Sequence, residues 1–390
     1  MKMKVFCAVV LLSAIGNAVM AKYSGGSGTV IDPYLIATAA DMNTIGANSS
    51  DWDKHFKMIA DVDLAGYRGT MLKCIGDDLS RTFKGVFDGQ GHTISNYNYA
   101  TTDTTQLIGI FGMISGEIKN VGVINPNVVA PNAVVVSSLV GQSEYSGYVN
   151  NCFVRGGSVK GKSYVGPLIG FVGANSKVEN CYAVSSTEGE SFVGGLAGAN
   201  YGRIYYCYAS SAVTCGGSYT GGLAGLGYAT KTFLSFWNND LTGTGNTVGK
   251  GRNSTEMKEM ATFAGWGVTG VWVIDEGADF PKLAWEGTNG AAITDPQFLL
   301  GLGTEASPYL ISSSEGLNLI GKFTDKWDKC YRLVCSIDMG GYQGVEYNII
   351  GNGYIPFTGS FDGGGNTIGG LSFKAERAEA IGSNHSQKIL

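Results

Sequence analysis

Few residues in this chain could carry out catalysis. It has three histidines, His55, His92 and His385. None sits in an H-E-x-x-H pattern, which would put two zinc ligands and a base on one helix face. No Ser-His-Asp arrangement or phosphate loop is evident, and Gly363-Gly364-Gly365 meets no helix, so it reads as a turn. Carboxylates cluster at Asp51, Asp53, Asp61, Asp63, Asp77, Asp78 and Asp88. Calcium, which takes six to eight oxygens, could use Asp61 and Asp63, and a glycosidase would need an opposed pair. Turn capping is the preferred reading, because aspartate bonds its own backbone in turns. The expectation is therefore a protein without catalytic residues, cofactor or required metal.

Eight cysteines occur, Cys7 near the start and seven beyond it. An odd number past the leader argues against a complete disulfide framework. No C-x-x-C is present, which removes the usual zinc spacing. Cys152, Cys181 and Cys207 are read as buried thiols, cysteine being among the most buried residue types. A Cys152–Cys181 bridge is the lesser alternative.

The elements that must position these residues are repeats. An apolar-apolar-glycine signature recurs at Ile110-Phe111-Gly112, Leu139-Val140-Gly141, Leu168-Ile169-Gly170, Leu196-Ala197-Gly198 and Leu223-Ala224-Gly225, with glycines 29, 29, 28 and 27 residues apart. A second strand-like element follows each glycine, as in Val149-Asn150-Asn151-Cys152 and Val178-Glu179-Asn180-Cys181. No window keeps a helical period, so each repeat is a set of short strands. One such repeat cannot bury its apolar face alone, whereas stacked copies share a continuous core. Stacking aligns Asn120, Asn151 and Asn180 at a corner, since asparagine tolerates left-handed backbone; Tyr206 breaks this ladder. Val121, Cys152, Cys181, Cys207 and Phe236 then form an inward column. Adjacent strand residues face opposite sides, so Phe153, Tyr182, Tyr208 and Trp237 point outward. This aromatic strip could face a glycan or a surface protein, or lie under a neighbouring loop.

The runs Gly194-Gly195-Leu196-Ala197-Gly198 and Gly221-Gly222-Leu223-Ala224-Gly225, each preceded by a Cys-Tyr element, resemble the GLUG motif. That repeat occurs in large exported bacterial proteins, including adhesins similar to filamentous haemagglutinin and β-helical regions of immunoglobulin-A-type metallopeptidases. The resemblance covers most of the chain beyond the leader and implies an all-β, right-handed parallel β-helix (solenoid) with small helical and aromatic capping segments. The zinc-binding helix of the metallopeptidases has no counterpart here.

Seven segments follow. Residues 1–21, with Lys2, Lys4, an apolar stretch and Val19-Met20-Ala21, read as a secretory signal peptide. Residues 22–107 form an N-terminal cap and first rungs, with a short helix from Thr38 to Gly46. Residues 108–236 carry the repeats, 237–285 an aromatic-rich C-terminal cap, and 286–302 a linker. Residues 303–374 are an incomplete second copy of the first module, with Pro33-Tyr34-Leu35-Ile36 returning as Pro308-Tyr309-Leu310-Ile311 and Trp52-Asp53-Lys54 as Trp327-Asp328-Lys329. Residues 375–390 follow no rung pattern and read as a disordered tail, in keeping with a truncated frame or a fragment of a longer array. The second copy replaces His55 by Cys330 and His92 by Asn366, but keeps Asp53, Asp63 and Asp88 as Asp328, Asp338 and Asp362. Recurring aspartates beside turn residues support the capping reading.

Composition agrees with many short strands. Glycine numbers 60 of 390, hydrophobic residues are 44% and charged residues 15%, against roughly 7% glycine and 25% charge in ordinary domains. The formal charge of −5 becomes more negative without Lys2 and Lys4, and no basic run offers a footprint for nucleic acid. No stretch reaches the ~20 apolar residues of a membrane span. The function expected is a secreted or cell-surface, adhesin-like structural protein with an extended binding face. A carbohydrate-binding or polysaccharide-degrading β-helix and a passive module of a larger surface protein are the alternatives.

Overall fold

The computed structural model describes residues 22–372, apart from 79, 105–106, 243–245, 247, 264–265, 267–270, 294–300, 322, 343–346 and 353–354. The segments expected as signal peptide (1–21) and tail (375–390) lie outside the described residues.

Parallel pairing between successive turns of the chain builds the fold. Tyr34–Ile36 pairs with His55–Met58, which pairs with Val86–Ser95 and then Glu117–Ile124. Phe153–Gly161, Tyr182–Gly189 and Tyr208–Ala209 continue the stack, and Phe236–Asn238 and Lys250–Arg252 close it. Two further parallel sheets run alongside. One holds Leu107–Ile108, Val135–Val136, Ser163–Val165, Ser191–Gly194 and Thr220–Gly221. The other holds Phe111–Ile114, Val140–Ser143, Ile169–Val172, Ala197–Asn200 and Ala224–Gly227. The protein is a parallel β-solenoid, mostly β with few helices.

Equivalent residues stack at the ~4.8 Å strand spacing, so the core is a set of vertical ladders. Phe111, Val140, Ile169, Ala197 and Ala224 form one. Ile118, Val149, Val178 and Ile204 form another. All nine are fully buried. The first ladder shrinks from Phe to Ala along the axis, and at the far end Trp237 fills the narrowing core above Ala209.

Backbone proximity explains the repeat glycines. A Cβ on Gly198 would lie 2.3 Å from the carbonyl carbon of Tyr164, and one on Gly225 2.4 Å from the amide nitrogen of Val193. Each of these strands folds flat against the sheet of the preceding turn, leaving no room for a side chain. Gly222, three residues earlier, makes way for a ring instead of backbone, since a Cβ there would collide with Trp237 at 2.0 Å.

The starting edge of the solenoid is closed. Residues 24–25 pair with Leu35 through hydrogen bonds of 3.1 and 2.8 Å. The expected helix spans Ala39–Ala47, and Thr38 and Asp41 exchange side-chain-to-backbone bonds in a capping box. The later copy repeats this plan. Ser313 caps helix Ser314–Ile320, and Tyr309–Ile311, Cys330–Leu333 and Ser360–Asp362 pair in parallel. Trp327 donates its indole N–H to Ile320 O at 2.6 Å, as Trp52 does to Ile45 O at 2.8 Å.

Gly198→Ala should destabilise the chain by about 1–3 kcal/mol, the usual cost of overpacking, seen as a lower urea midpoint. An unchanged midpoint would show that the sheets can separate to admit a methyl group.

Candidate binding surface

The solenoid corner sets which residues face in and which face out. Asn120, Asn151 and Asn180 have φ of 53°, 52° and 50°, the left-handed region. Tyr206 and Leu234 adopt φ of 51° and 42° at the same corner despite their bulk. Stacking forces them into a conformation that L residues avoid by roughly 1–2 kcal/mol. Side-chain amides link the corner vertically: Asn151 Nδ2 donates to Asn120 Oδ1 at 3.2 Å, and Asn120 Nδ2 to Asp88 Oδ1 at 3.0 Å.

Beyond the corner, Cys152, Cys181 and Cys207 turn inward and are fully buried with free thiols. Their Sγ atoms donate to Asn150 O, Glu179 O and Tyr205 O at 3.0–3.1 Å. Burial pushes the Cys152 and Cys181 thiols well above the ordinary range, and that of Cys74 up to about 12. The next member of this column is Ser235, whose hydroxyl accepts from Cys207 N at 3.1 Å. The alignment expected from the sequence at this turn is therefore off by one residue. Tyr208 pairs with Phe236 and Ala209 with Trp237, so Phe236 belongs to the aromatic column and Trp237 to the core.

Phe153, Tyr182, Tyr208 and Phe236 do point away from the solenoid core, but they are not exposed. The expected ligand-facing strip is overturned. Rings of Phe153 and Tyr182 stack at 5.0 Å and those of Tyr182 and Tyr208 at 4.9 Å, with interplanar angles of 13° and 1°. Gly122 begins the column and leaves space for Phe153, whose ring would lie 2.3 Å from a Cβ there. A second core of Met257, Phe263, Trp266, Trp272, Ile274, Leu283 and Ile293 covers the stack. Polar bonds fix it: Tyr208 Oη donates to Pro281 O at 2.6 Å, and Trp272 Nε1 to Asn180 Oδ1 at 3.2 Å. The buried Glu286 carboxylate accepts from Arg155 Nη1 at 2.8 Å, Tyr182 Oη at 2.8 Å and Leu283 N at 2.8 Å. Burial, followed by the Glu286 charge, raises the Tyr182 phenol well above its usual range. The cap thus lies along the side of the solenoid and extends past 285. Ala291–Ala292 pairs with Val273–Ile274 and Ile293 is buried, so the segment expected as a linker from 286 begins inside the cap.

The carboxylate candidates sit at a short strand, Asp63 in Val62–Asp63 and Asp61 just before it. Asp63 Oδ1 accepts from Ala65 N at 2.9 Å and Asn96 Nδ2 at 2.8 Å, which lowers its pKa, with the Asn96 bond the larger cause. Asp61 Oδ1 accepts from Thr93 N at 2.7 Å and lies 3.4 Å from His92 Nδ1. His55 lies on a lateral strand beside Lys57 and Asp88, where it lines a shallow groove with Val30 and Ile31.

A different aromatic surface is open, one that sequence reasoning missed. Tyr164, Phe192 and Tyr219 stack on a second left-handed corner, φ 45°, 55° and 69°, with centroids 4.5 and 4.7 Å apart and planes within 6°. Phe171 and Tyr201 stack beside them at 5.3 Å, Tyr228 meets Tyr201 edge-on at 5.7 Å, and Tyr164 meets Phe171 edge-on at 5.6 Å. Tyr219 and Tyr228 are 55% and 53% exposed, and the other four are half-buried. Stacking hides ring faces between turns, so the ridge offers ring edges and hydroxyls, with the Tyr219 ring the most open of its stack. The signal was present: an aromatic stands six residues before each of Gly170, Gly198 and Gly225.

No family model matches the chain. Over 157 residues it is 30% identical to a protein of Evansella cellulosilytica provisionally named a Gly-rich membrane protein, a match covering 39% of this chain and 18% of that one. Over 193 residues it is 30% identical to halomucin of Haloquadratum walsbyi, covering 48% and 2%. The chain thus spans less than a fifth of the length of these curated relatives. A crystal structure from Bacteroides ovatus, provisionally named an immunoglobulin A1 protease, superposes with a TM-score of 0.55 at 20% identity, over 68% of this chain and 96% of that one. That likeness concerns the fold alone.

Alkylation of the native protein at pH 8 should label the exposed Cys335 and spare Cys152, Cys181 and Cys207 until denaturation, as peptide mass mapping will show; rapid labelling of the three would mean the core opens. Glu286→Ala should cost about 1.5–3 kcal/mol, the range for hydrogen bonds to charged groups, and shift tryptophan emission to the red as the cap loosens. Unchanged emission and midpoint would show that apolar packing alone holds the cap.

Proposed function

We infer that this protein is a secreted or cell-surface structural solenoid of the GLUG-repeat, adhesin-like kind, with right-handed coils, which presents a lateral face to a glycan or a surface protein. The observation that carries this reading is the open ridge of Tyr164, Phe192, Tyr219, Phe171, Tyr201 and Tyr228 on a rigid parallel stack. Tyrosine combines a large apolar body with a hydroxyl at low conformational-entropy cost, which suits recognition of sugars and protein surfaces alike. Similarity to a Gly-rich membrane protein and to halomucin supports a place at the cell surface. Among the described residues, no helix is long and apolar enough to cross a membrane. The chain matches 18% and 2% of the length of those relatives, which is compatible with a module of a larger kind of surface protein. Asp61 and Asp63, the carboxylates considered for calcium, each accept a backbone hydrogen bond.

Arrays of glycans and of surface proteins probed with residues 22–390 test the reading. The double variant Tyr219→Ala, Tyr228→Ala should weaken the best ligand by about tenfold or more, as truncating an aromatic anchor does. Tyr219 and Tyr228 are exposed, so the fold should be unaffected. Binding that ignores both substitutions would remove the ridge from the interface, and release of soluble oligosaccharide would make the protein an enzyme.

A further inference from the structure

A polar cleft on the side of the solenoid shares no residue with the cap or the aromatic ridge. It encloses about 540 Å³, and Arg68, Asn96, Asn98, Asn127, Tyr99 and Ala100 are among its walls. Parallel pairing builds it, with Arg68 opposite Asn98 and Asn98 opposite Asn127. One guanidinium and two carboxamides therefore form a single column on three successive turns, at the ~4.8 Å strand spacing. Tyr99 and Val128, which follow the two asparagines, pack on the solenoid core. Strand alternation then turns the asparagines outward.

The charge in this cleft is not neutralised. Arg81, Arg155, Arg252 and Arg332 lie 2.6, 2.8, 3.9 and 2.8 Å from carboxylate oxygens. Arg68 has no such partner among the described residues, in a chain of net charge −5. Its Nε donates to Ala65 O at 3.4 Å, and its two Nη groups are left over. Asn98 Nδ2 donates to Asn96 O at 2.9 Å, which leaves Asn98 Oδ1 open. The Asn127 carboxamide makes no bond among the described residues. Asp63 holds Asn96 through Nδ2 at 2.8 Å but does not line the cleft. The local fold does not call for the arginine. Asp63 Oδ1 accepts from Ala65 N, and Tyr67 N donates to Leu64 O; in the second copy Asp338 Oδ1 accepts from Gly340 N, and Tyr342 N donates to Met339 O. In sequence, however, Gln343 stands in place of Arg68 and Gly370 in place of Asn96.

We propose that this cleft binds an acidic sugar, with Arg68 taking its carboxylate and Asn98 and Asn127 its hydroxyls. A planar guanidinium with both Nη groups free grips a carboxylate through two parallel bonds. A carboxamide both donates and accepts, as a sugar hydroxyl does, and Tyr99 and Ala100 supply apolar surface for the ring. The cleft lies within the roughly 300–1,000 Å³ of small-molecule sites. Its column continues as Ser158 and Ser186, which extends the polar track for further sugars of a chain. Arg68 and Asn127 are exposed, so binding is weak and falls as salt rises. The site differs from the aromatic ridge in every residue, so the two readings stand or fall separately.

The test is titration calorimetry of residues 22–390 with glucuronate, galacturonate and N-acetylneuraminate, against glucose, galactose, acetate and N-acetyl-dialanine. At least one acidic sugar should saturate the protein at millimolar concentration. Arg68→Gln should weaken that sugar by about fivefold, the upper range for an exposed ion pair, and Asn127→Ala should weaken it by a smaller factor. Both side chains are exposed, so the urea midpoints should not move. The double variant Tyr219→Ala, Tyr228→Ala should bind the acidic sugar as wild type. Four results would overturn the proposal: no saturable binding of any of the three acids, neutral sugars binding as well, acetate or the dipeptide binding as well, or indifference to Arg68→Gln.

Discussion

A single turn of this molecule has almost no backbone hydrogen bonds of its own. The amides and carbonyls of its strands point along the stack, so each turn is completed by the turns before and after it, with equivalent residues placed over one another. Stability is then a sum over neighbouring interfaces rather than a property of any one repeat. The same geometry forces ladders: once one residue type is accepted at a position, its neighbours above and below must suit the same environment.

The left-handed corner turns this rule into an arrangement of surfaces. With the chain turned sharply at Asn120, Asn151 and Asn180, the next residue goes inward and the one after it outward. Thiols fill one column and aromatic rings the other. The rings then serve as the floor of a second core, held by the Glu286 carboxylate and by indole and phenol hydrogen bonds. A second corner, at Tyr164, Phe192 and Tyr219, has no such cover, and the aromatic residues there remain at the surface.

Spacing made the solenoid legible in the sequence. The 27–29-residue interval between glycines places the ladders, and the inward position of Cys152, Cys181 and Cys207 follows from strand alternation. The helix at Thr38 was readable from its cap, and the duplication from Trp52 and Trp327. Exposure was not readable, because it depends on segments distant in the chain: nothing near Tyr182 announces that Glu286, 104 residues later, will lie over it. The one-residue error at Phe236 has a local cause. Phe233, Leu234 and Phe236 fit the apolar pattern in more than one register, and the pairing of Tyr205 with Phe233 and of Tyr208 with Phe236 selects one of them.

The close fit of Trp237 over Gly222 bears on how such arrays change in number. Repeats that look interchangeable on paper are cut to their neighbours, with a large ring on one coil requiring bare backbone on the coil before it. Loss of an internal coil by recombination would set that indole against a coil shaped for a smaller roof, and gain of a coil would leave a gap beneath it. Growth or shrinkage of the array is therefore easiest by whole blocks that carry both closures, the unit in which the second copy begins.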